Sequence, residues 1–460
     1  MTTTLPHPPR RLPLVGDVIG ASQTTAVRDS LRYASELGPI FERKILGQRV
    51  VIVSGADLAG ELCDEKRFSK YVNPAISALR GLGGDGLFTA FNEEPNWAKA
   101  HALLAPAFTK SAMHSYHDVM LDVFAELEGW WANKDAVDVS ADMTRLTLET
   151  IGRTAMGYGF HSFENSDVHP FVSAMVRALA FAQKSGLLSQ SRVGRMITAR
   201  GARQNASDEK YVLDLVDDVI ATRRVSPEPH PNDLLELMLR AAQDHPELAI
   251  DEQNIRYQLV TFLVAGHETT SGALSLALYY LSQNPEVLAR AREEVDSVWG
   301  SVDRPAYDQV AKLRYVRRVL DETLRLWPTA PAFGRQARED TTIGGRYEMR
   351  AGEWALVFLP GLHRDPVWGE NTDEFDPDRF EPSRVRSRPA HAYKPFGTGE
   401  RACIGRQFAV HEAVLILGKI LQRYDLRPDP GYRLELNERL TLMPSGFEVT
   451  VTPRRKMVRK

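Results

Sequence analysis

Cysteine is nearly absent from this chain: Cys63 and Cys403 are the two among 460 residues. That scarcity excludes a disulfide framework and fits a reducing compartment. Long hydrophobic runs are also missing. The most apolar stretch, Leu259–Ala265, is cut by Gly266, His267 and Glu268, far short of the roughly 20 apolar residues a membrane span needs. Met1–Arg11 carries prolines and basic residues but no apolar signal-peptide core. A protein of the cytoplasm without a membrane span is therefore expected. Neither sign of charge dominates: 57 Lys and Arg stand against 60 Asp and Glu, a net charge of −3. Such balance argues against a nucleic-acid binder, which needs a strong basic excess. No internal repeat, low-complexity tract or linker between unlike halves is visible, so a single domain over residues 1–460 is expected.

What is present is an ordinary globular composition, with 43% hydrophobic residues, ample for a large core. Residues 1–11 read as an extended lead-in and 453–460 as a basic tail. A helix is expected near Thr25–Leu37. Two β-branched stretches around Leu46–Gly47 predict a hairpin, and Ala56–Asp64 a short helix. From Glu94 to about Val225, and again from about Asn232 to Leu326, apolar residues recur at helical spacing. Ser226–Asn232 reads as a surface connection. Short β-like pieces follow Pro328, then a loop-rich region over Arg364–Gly405. A last helix is expected near Cys403–Tyr424, with strands near Leu440–Met443 and Phe447–Thr452. The fold class is mainly α with a small β part.

Three motifs fail on inspection. Gly81, Gly83 and Gly86 match a dinucleotide-binding fingerprint, but no buried strand precedes them and no acidic residue lies between Pro95 and His117. A flexible loop is the expected reading. His267-Glu268 opens like a zinc-protease motif without its second histidine. His114 and His117 form a weak pair, expected on a solvated helix face.

The strongest signal is Phe396-Gly397-Thr398-Gly399-Glu400-Arg401-Ala402-Cys403-Ile404-Gly405. Its glycines permit a tight bulge that brings amides near the sulfur. Arg401 adds positive charge, and the helix starting near Cys403 aims its dipole at the thiol; all three favour thiolate. Gly405 leaves room for a large flat group. Five residues fixed at these spacings recur by chance at roughly 10⁻⁷ per starting position. A second signal is Ala265-Gly266-His267-Glu268-Thr269-Thr270, placed inside a long apolar helix. A threonine there can bond back to the carbonyl four residues earlier, so a helix kink is the bland alternative. Glu322 and Arg325 share a helix face at i, i+3.

At these residues the chain resembles the cytochrome P450 family. The resemblance implies the P450 fold, with a haem b between the long central helix and the cysteine loop and Cys403 as axial thiolate to the iron. It implies that Phe396, Gly397 and the loop amides tune the sulfur, that Gly405 admits the haem, and that Arg401 pairs with a propionate. Trp97 and His101, and Lys70 in its short segment, are further propionate contacts. Glu322, Arg325 and Arg379 carry over as a structural network. Glu268 and Thr269 carry over as the proton-delivery pair, Thr269 orienting water and dioxygen while Glu268 connects to solvent. Phe88, Ala75, Leu79, Val264, Ala330 and Leu440 match channel-lining positions.

The chain is similar in particular to the haem domain of bacterial self-sufficient fatty-acid hydroxylases, which fuse it to a diflavin reductase. It departs where those relatives carry Arg and Tyr at the channel mouth: here stand Gln48 and Ile52. Arg49 is adjacent, but strand alternation points it to the opposite face. The chain ends at a basic tail with no room for flavin domains, so it is expected to be either an isolated haem domain or one served by a separate electron donor, a flavodoxin, ferredoxin or diflavin reductase. The implied activity is monooxygenation of a fatty acid or similar long apolar compound. A peroxide-driven peroxygenase and a non-redox ligand carrier or sensor are the alternatives; the Glu268–Thr269 pair favours the first.

Overall fold

The computed structural model describes residues 4–13, 15–17, 22, 24–45, 47–188, 192–226 and 233–454. Most of the expected connection at 226–232 and of the basic tail at 453–460 therefore lies outside the described residues. Helices dominate, as the patterning predicts. The longest described helix without side-chain gaps, Glu252–Gln283, is opened by Asp251, whose carboxylate accepts the Asn254 amide. Its flanks are apolar on nearly every face, so it is buried along most of its length. Around it pack Val139–Met156, Arg314–Leu326 and Arg406–Arg423. Asp138 caps the first of these through the Ala141 amide, and Gly157 ends it in left-handed conformation.

The β part is small and lies mainly at the edges of this body. A five-stranded sheet runs in the order Ile40–Ile45, Gln48–Val53, Trp354–Phe358, Ala332–Ala337, Phe68–Tyr71. Its first pair is the expected hairpin, registered Ile40 to Val53 and Ile45 to Gln48. Gln48–Val53 and Trp354–Phe358 pair in parallel. Tyr424–Pro428, Glu448–Pro453 and Ala136–Asp138 form a second sheet. A two-stranded hairpin, Leu436–Glu438 with Leu442–Pro444, reaches back to the central helix. Several of these strands are three or four residues long, too short for alternation to register in the sequence.

Three expectations need correction. The last helix starts at Arg406, not Cys403, because a tight turn over Gly399–Arg401 and an extended Ala402 keep the cysteine in the preceding loop. The glycine run at 81–86 is packed rather than flexible. Arg80–Gly83 is a short helix, Gly84 has φ +44°, and a Cβ there would lie 2.1 Å from the Tyr257 ring on the central helix. His117 is buried rather than solvated. It contacts His411 at 3.0 Å and donates from Nε2 to the Pro305 carbonyl at 2.8 Å, while His114 packs on Tyr307.

Candidate functional site

The cysteine loop is held by its own backbone. Gly397 and Gly399 take φ +73° and +67°, a region that penalises a Cβ. They let the Cys403 amide reach the Phe396 carbonyl at 2.9 Å and Ala402 reach Gly399 at 3.1 Å. Burial pushes the Cys403 thiol up, whereas the Gly405 amide and the nearby Arg406 pull it down. The balance lies toward the thiol, so the three influences read from sequence do not by themselves yield a thiolate; desolvation outweighs them. The cation facing the sulfur is Arg406, not Arg401. A Cβ on Gly405 would stand 4.0 Å from the Cys403 sulfur and 3.9 Å from Phe108, so a side chain there would narrow the approach.

The central helix presents its Ala265–Thr270 segment to the interior. Ala265 is exposed although Leu263, His267 and Glu268 beside it are buried, and Cys403 is exposed in the same sense. Thr269 donates its hydroxyl to the Ala265 carbonyl at 2.7 Å, the back-bond expected from sequence. Glu268 Oε2 accepts the Thr441 hydroxyl at 2.7 Å. His267 points away, its Nδ1 donating to the Leu263 carbonyl, and burial lowers its pKa. It does not pair with a second histidine. Gly266 lets Ile151 pack within about a van der Waals radius of the helix, since a Cβ there would meet it at 2.9 Å.

A cationic rim lies on one side. Arg401 donates to the Ala90 carbonyl at 2.5 Å and stacks over Trp97 at 4.3 Å, and its Nε is buried without a partner. Lys70 donates to the Phe88 carbonyl at 2.5 Å. Burial, with Arg401 adding repulsion, drops the Lys70 ammonium to about 7. Trp97 and His101 stack at 5.0 Å on Pro95–Leu104. Lys70 and Arg401 repel one another, and an anion bound beside them would favour the charged form of both.

Of the expected channel positions, Leu79 is buried in the main core, and Phe88, Val264 and Leu440 pack against it. Ala75 and Ala330 do not join that cluster. Ala75 lies against Gly186 of Pro170–Leu188, and Ala330 is exposed. Ile52 is buried beside Phe41, Phe358 and Leu442, while the Gln48 Nε2 is buried without a partner. Arg49 turns the other way and binds Glu42 at 2.6 Å, as alternation predicts.

The network behind the loop is fully buried. Arg325 makes two 2.7 Å bonds to Glu322 and donates to the His363, Thr372 and Glu374 carbonyls. Arg379 lies 3.7 Å from Glu322 and spends its guanidinium on the Trp368, Glu370 and Asn371 carbonyls. The missing member is His363. It donates Nδ1 to the Arg325 carbonyl and accepts the Lys394 amide on Nε2. Burial and Arg325 hold it neutral, with its pKa near 3. Lys394 in turn accepts the Gly397 amide, so the network reaches the cysteine loop. A lone histidine in a loop gave no spacing signal.

Residues 6–451 match the family described as Cytochrome P450. The chain belongs to the cytochrome P450 family. It is 46% identical over 433 residues to a bifunctional cytochrome P450/NADPH–P450 reductase of Bacillus cereus, covering 93% of this chain and 40% of that protein. A second such protein, from Bacillus subtilis, is 46% identical over 431 residues, with 92% and 40% covered. A self-sufficient cytochrome P450 monooxygenase of Phanerodontia chrysosporium is 40% identical over 463 residues, with 99% and 43% covered. The chain thus spans about two fifths of the length of the curated P450 relatives it matches. The family implies a haem iron. The donor set here fits one: an exposed sulfur on the 403 loop, a glycine at 405 that keeps the space beside it open, and Lys70 with Arg401, whose Nε is orphaned. No described helix is long and apolar enough to cross a membrane.

Replacing Arg325 by Ala leaves Glu322 and three carbonyls without their partner, and should lower unfolding stability by about 3–5 kcal/mol. Denaturant titration of the purified protein measures this; an unchanged midpoint would mean the network is dispensable.

Proposed function

We propose that this chain is a haem-thiolate monooxygenase, with Cys403 as axial ligand of a haem b and Glu268 and Thr269 delivering protons. The observations that carry the reading are the glycine-built loop that leaves Cys403 exposed and the Ala265–Thr269 turn, where Thr269 bonds back to an exposed Ala265. The net reaction consumes one dioxygen, two electrons and two protons per substrate C–H bond, yielding an alcohol and water. When bound, the haem would supply an iron that activates dioxygen, with the Cys403 thiolate lending it electron density.

The remaining work falls to the chain. The Cys403 sulfur binds as thiolate once a cation offsets its desolvation, helped by the Gly405 amide. Phe396 and Gly397 fix the loop's geometry. Lys70 and Arg401 neutralise propionates, with Trp97 and His101 alongside. Thr269 holds its proton toward the Ala265 carbonyl, leaving its lone pairs to accept from water in the cleft. Glu268 exchanges protons between solvent and that water. Leu79, Phe88, Val264 and Leu440 exclude water and bind an apolar chain; Ala75 and Ala330 belong to the outer channel. A fatty acid or similar long-chain compound suits this lining. Its carboxylate finds no Arg at Gln48, and the buried Ile52 offers no hydroxyl. The unpartnered Gln48 amide remains as the donor at that mouth.

Electrons arrive from a diflavin reductase, flavodoxin or ferredoxin at the cysteine-loop face. Lys99, Lys110 and Arg406 are exposed cations and are the docking residues of this reading, whereas Arg401 is taken up by Ala90 and Trp97. Complementary charge should speed docking and make it salt-sensitive.

The proton-delivery role is tested by the ratio of product formed to NADPH oxidised, using dodecanoate and a diflavin reductase. Thr269→Ala should keep haem and substrate binding yet divert electrons to peroxide. An unchanged ratio would make Thr269 a kink residue only. Turnover driven by peroxide alone, with none from NADPH and reductase, would favour a peroxygenase instead, and turnover in neither case a binding protein.

Lys99→Glu combined with Lys110→Glu should slow first-electron transfer from an acidic flavodoxin and flatten its ionic-strength dependence. Carbon monoxide binding to chemically reduced protein should not change. An unaltered rate and salt slope would place the donor elsewhere.

A further inference from the structure

Glu268 is held by a residue from a distant part of the chain. Thr441 lies 173 positions later, in the turn of the Leu436–Glu438 and Leu442–Pro444 hairpin, and donates its hydroxyl to Glu268 Oε2 at 2.7 Å. The turn does not need that hydroxyl. It is closed by the backbone, Arg439 amide to Thr441 carbonyl at 3.0 Å.

The hairpin is itself fixed on several sides. Glu438 accepts the Val27 amide at 2.6 Å and Arg28 Nε at 2.7 Å, tying the first strand to the Ala26–Leu37 helix. The Leu442 amide donates to the Thr329 carbonyl at 2.9 Å. The Leu442 carbonyl presses on Gly272, one helical turn beyond Glu268; a Cβ there would stand 2.5 Å from the oxygen. A glycine at 272 is thus what lets the hairpin come close enough for Thr441 to reach the carboxylate.

We infer that Thr441 is a positioning residue that fixes the Glu268 carboxylate for proton delivery. A glutamate side chain has three rotatable bonds, and leaving it without a partner inside the protein would let it adopt several rotamers. One short bond from a rigid turn selects a single arrangement. The neighbouring Leu440 packs against the main core from the same turn, so a substrate contacting Leu440 would lie one residue from the group that orients the acid. Substrate contact and proton delivery are thereby joined through one turn of backbone.

This inference rests on Glu268 being the proton carrier, and the experiment separates the two. Thr441→Val keeps shape and removes the donor; Thr441→Ser restores it; Glu268→Met removes the acceptor. Each is made alone, and Thr441→Val also in the Glu268→Met background. With dodecanoate, NADPH and a diflavin reductase, Thr441→Val should raise peroxide released per NADPH severalfold, and Thr441→Ser should restore the ratio. In the Glu268→Met background Thr441→Val should add nothing. The melting temperatures of the same haem-loaded variants should show non-additive loss, a readout independent of turnover. If Glu268→Met leaves the peroxide ratio unchanged, the proton-carrier reading fails and this inference with it. If Glu268→Met uncouples but Thr441→Val does not, or if the two effects add in both readouts, the carrier stands and the positioning role of Thr441 is overturned.

Discussion

A cysteine carried on an irregular loop, left uncovered by the rest of the chain, is the constraint on which this structure depends. The loop that carries Cys403 has no regular secondary structure to stiffen it. Its rigidity comes from backbone bonds, Cys403 amide to Phe396 carbonyl, Ala402 to Gly399 and Gly397 to Lys394, allowed by two glycines in left-handed conformation. Behind it, Arg325, held by Glu322, satisfies the His363, Thr372 and Glu374 carbonyls of a segment rich in turns, while Glu322 accepts the Asp376 amide and His363 the Lys394 amide. Such buried ionic groups add little net stability over apolar packing. Their value here is geometric: they saturate backbone acceptors that no helix or sheet could pair in a loop of this shape.

Electrostatics follow from the same constraint. Burial opposes charge on two groups of the site, pushing the Cys403 thiol up and the Lys70 ammonium down to about 7. A bound group with a cationic centre and anionic edges would reverse both penalties at once, which is how an iron porphyrin matches this arrangement. The proton-carrying face is organised separately. Thr269 is tied to its own helix and Glu268 to the 436–444 hairpin, so the acid and the alcohol are presented by different anchors.

Much of this was legible in the sequence. The spacing around Cys403 named the loop, and the threonine at 269 announced the back-bond to Ala265. Helical periodicity found the long helices because each buries one face or all of them. Other features were not legible, for identifiable reasons. Short strands such as Ala136–Asp138 have too few residues to show alternation. The glycines at 81–86 looked like a free loop because their packing partner, Tyr257, is far away in sequence. His117 looked solvated because His411 and Pro305, which enclose it, lie on later segments. His363 and Thr441 act through single contacts made across the fold, and nothing in their own neighbourhoods signals them.

The central claim is that Cys403 and no other residue ligates the iron as thiolate. The most direct measurement is the absorption spectrum of the reduced, carbon monoxide-bound protein, compared for the wild type, Cys403→Ala and Cys63→Ala. Cys63 is the other cysteine and is buried, so it serves as the control. The account predicts the thiolate-diagnostic band in the wild type and Cys63→Ala and its loss in Cys403→Ala. Retention of that band without Cys403, or its absence from the haem-loaded wild type, would contradict the account.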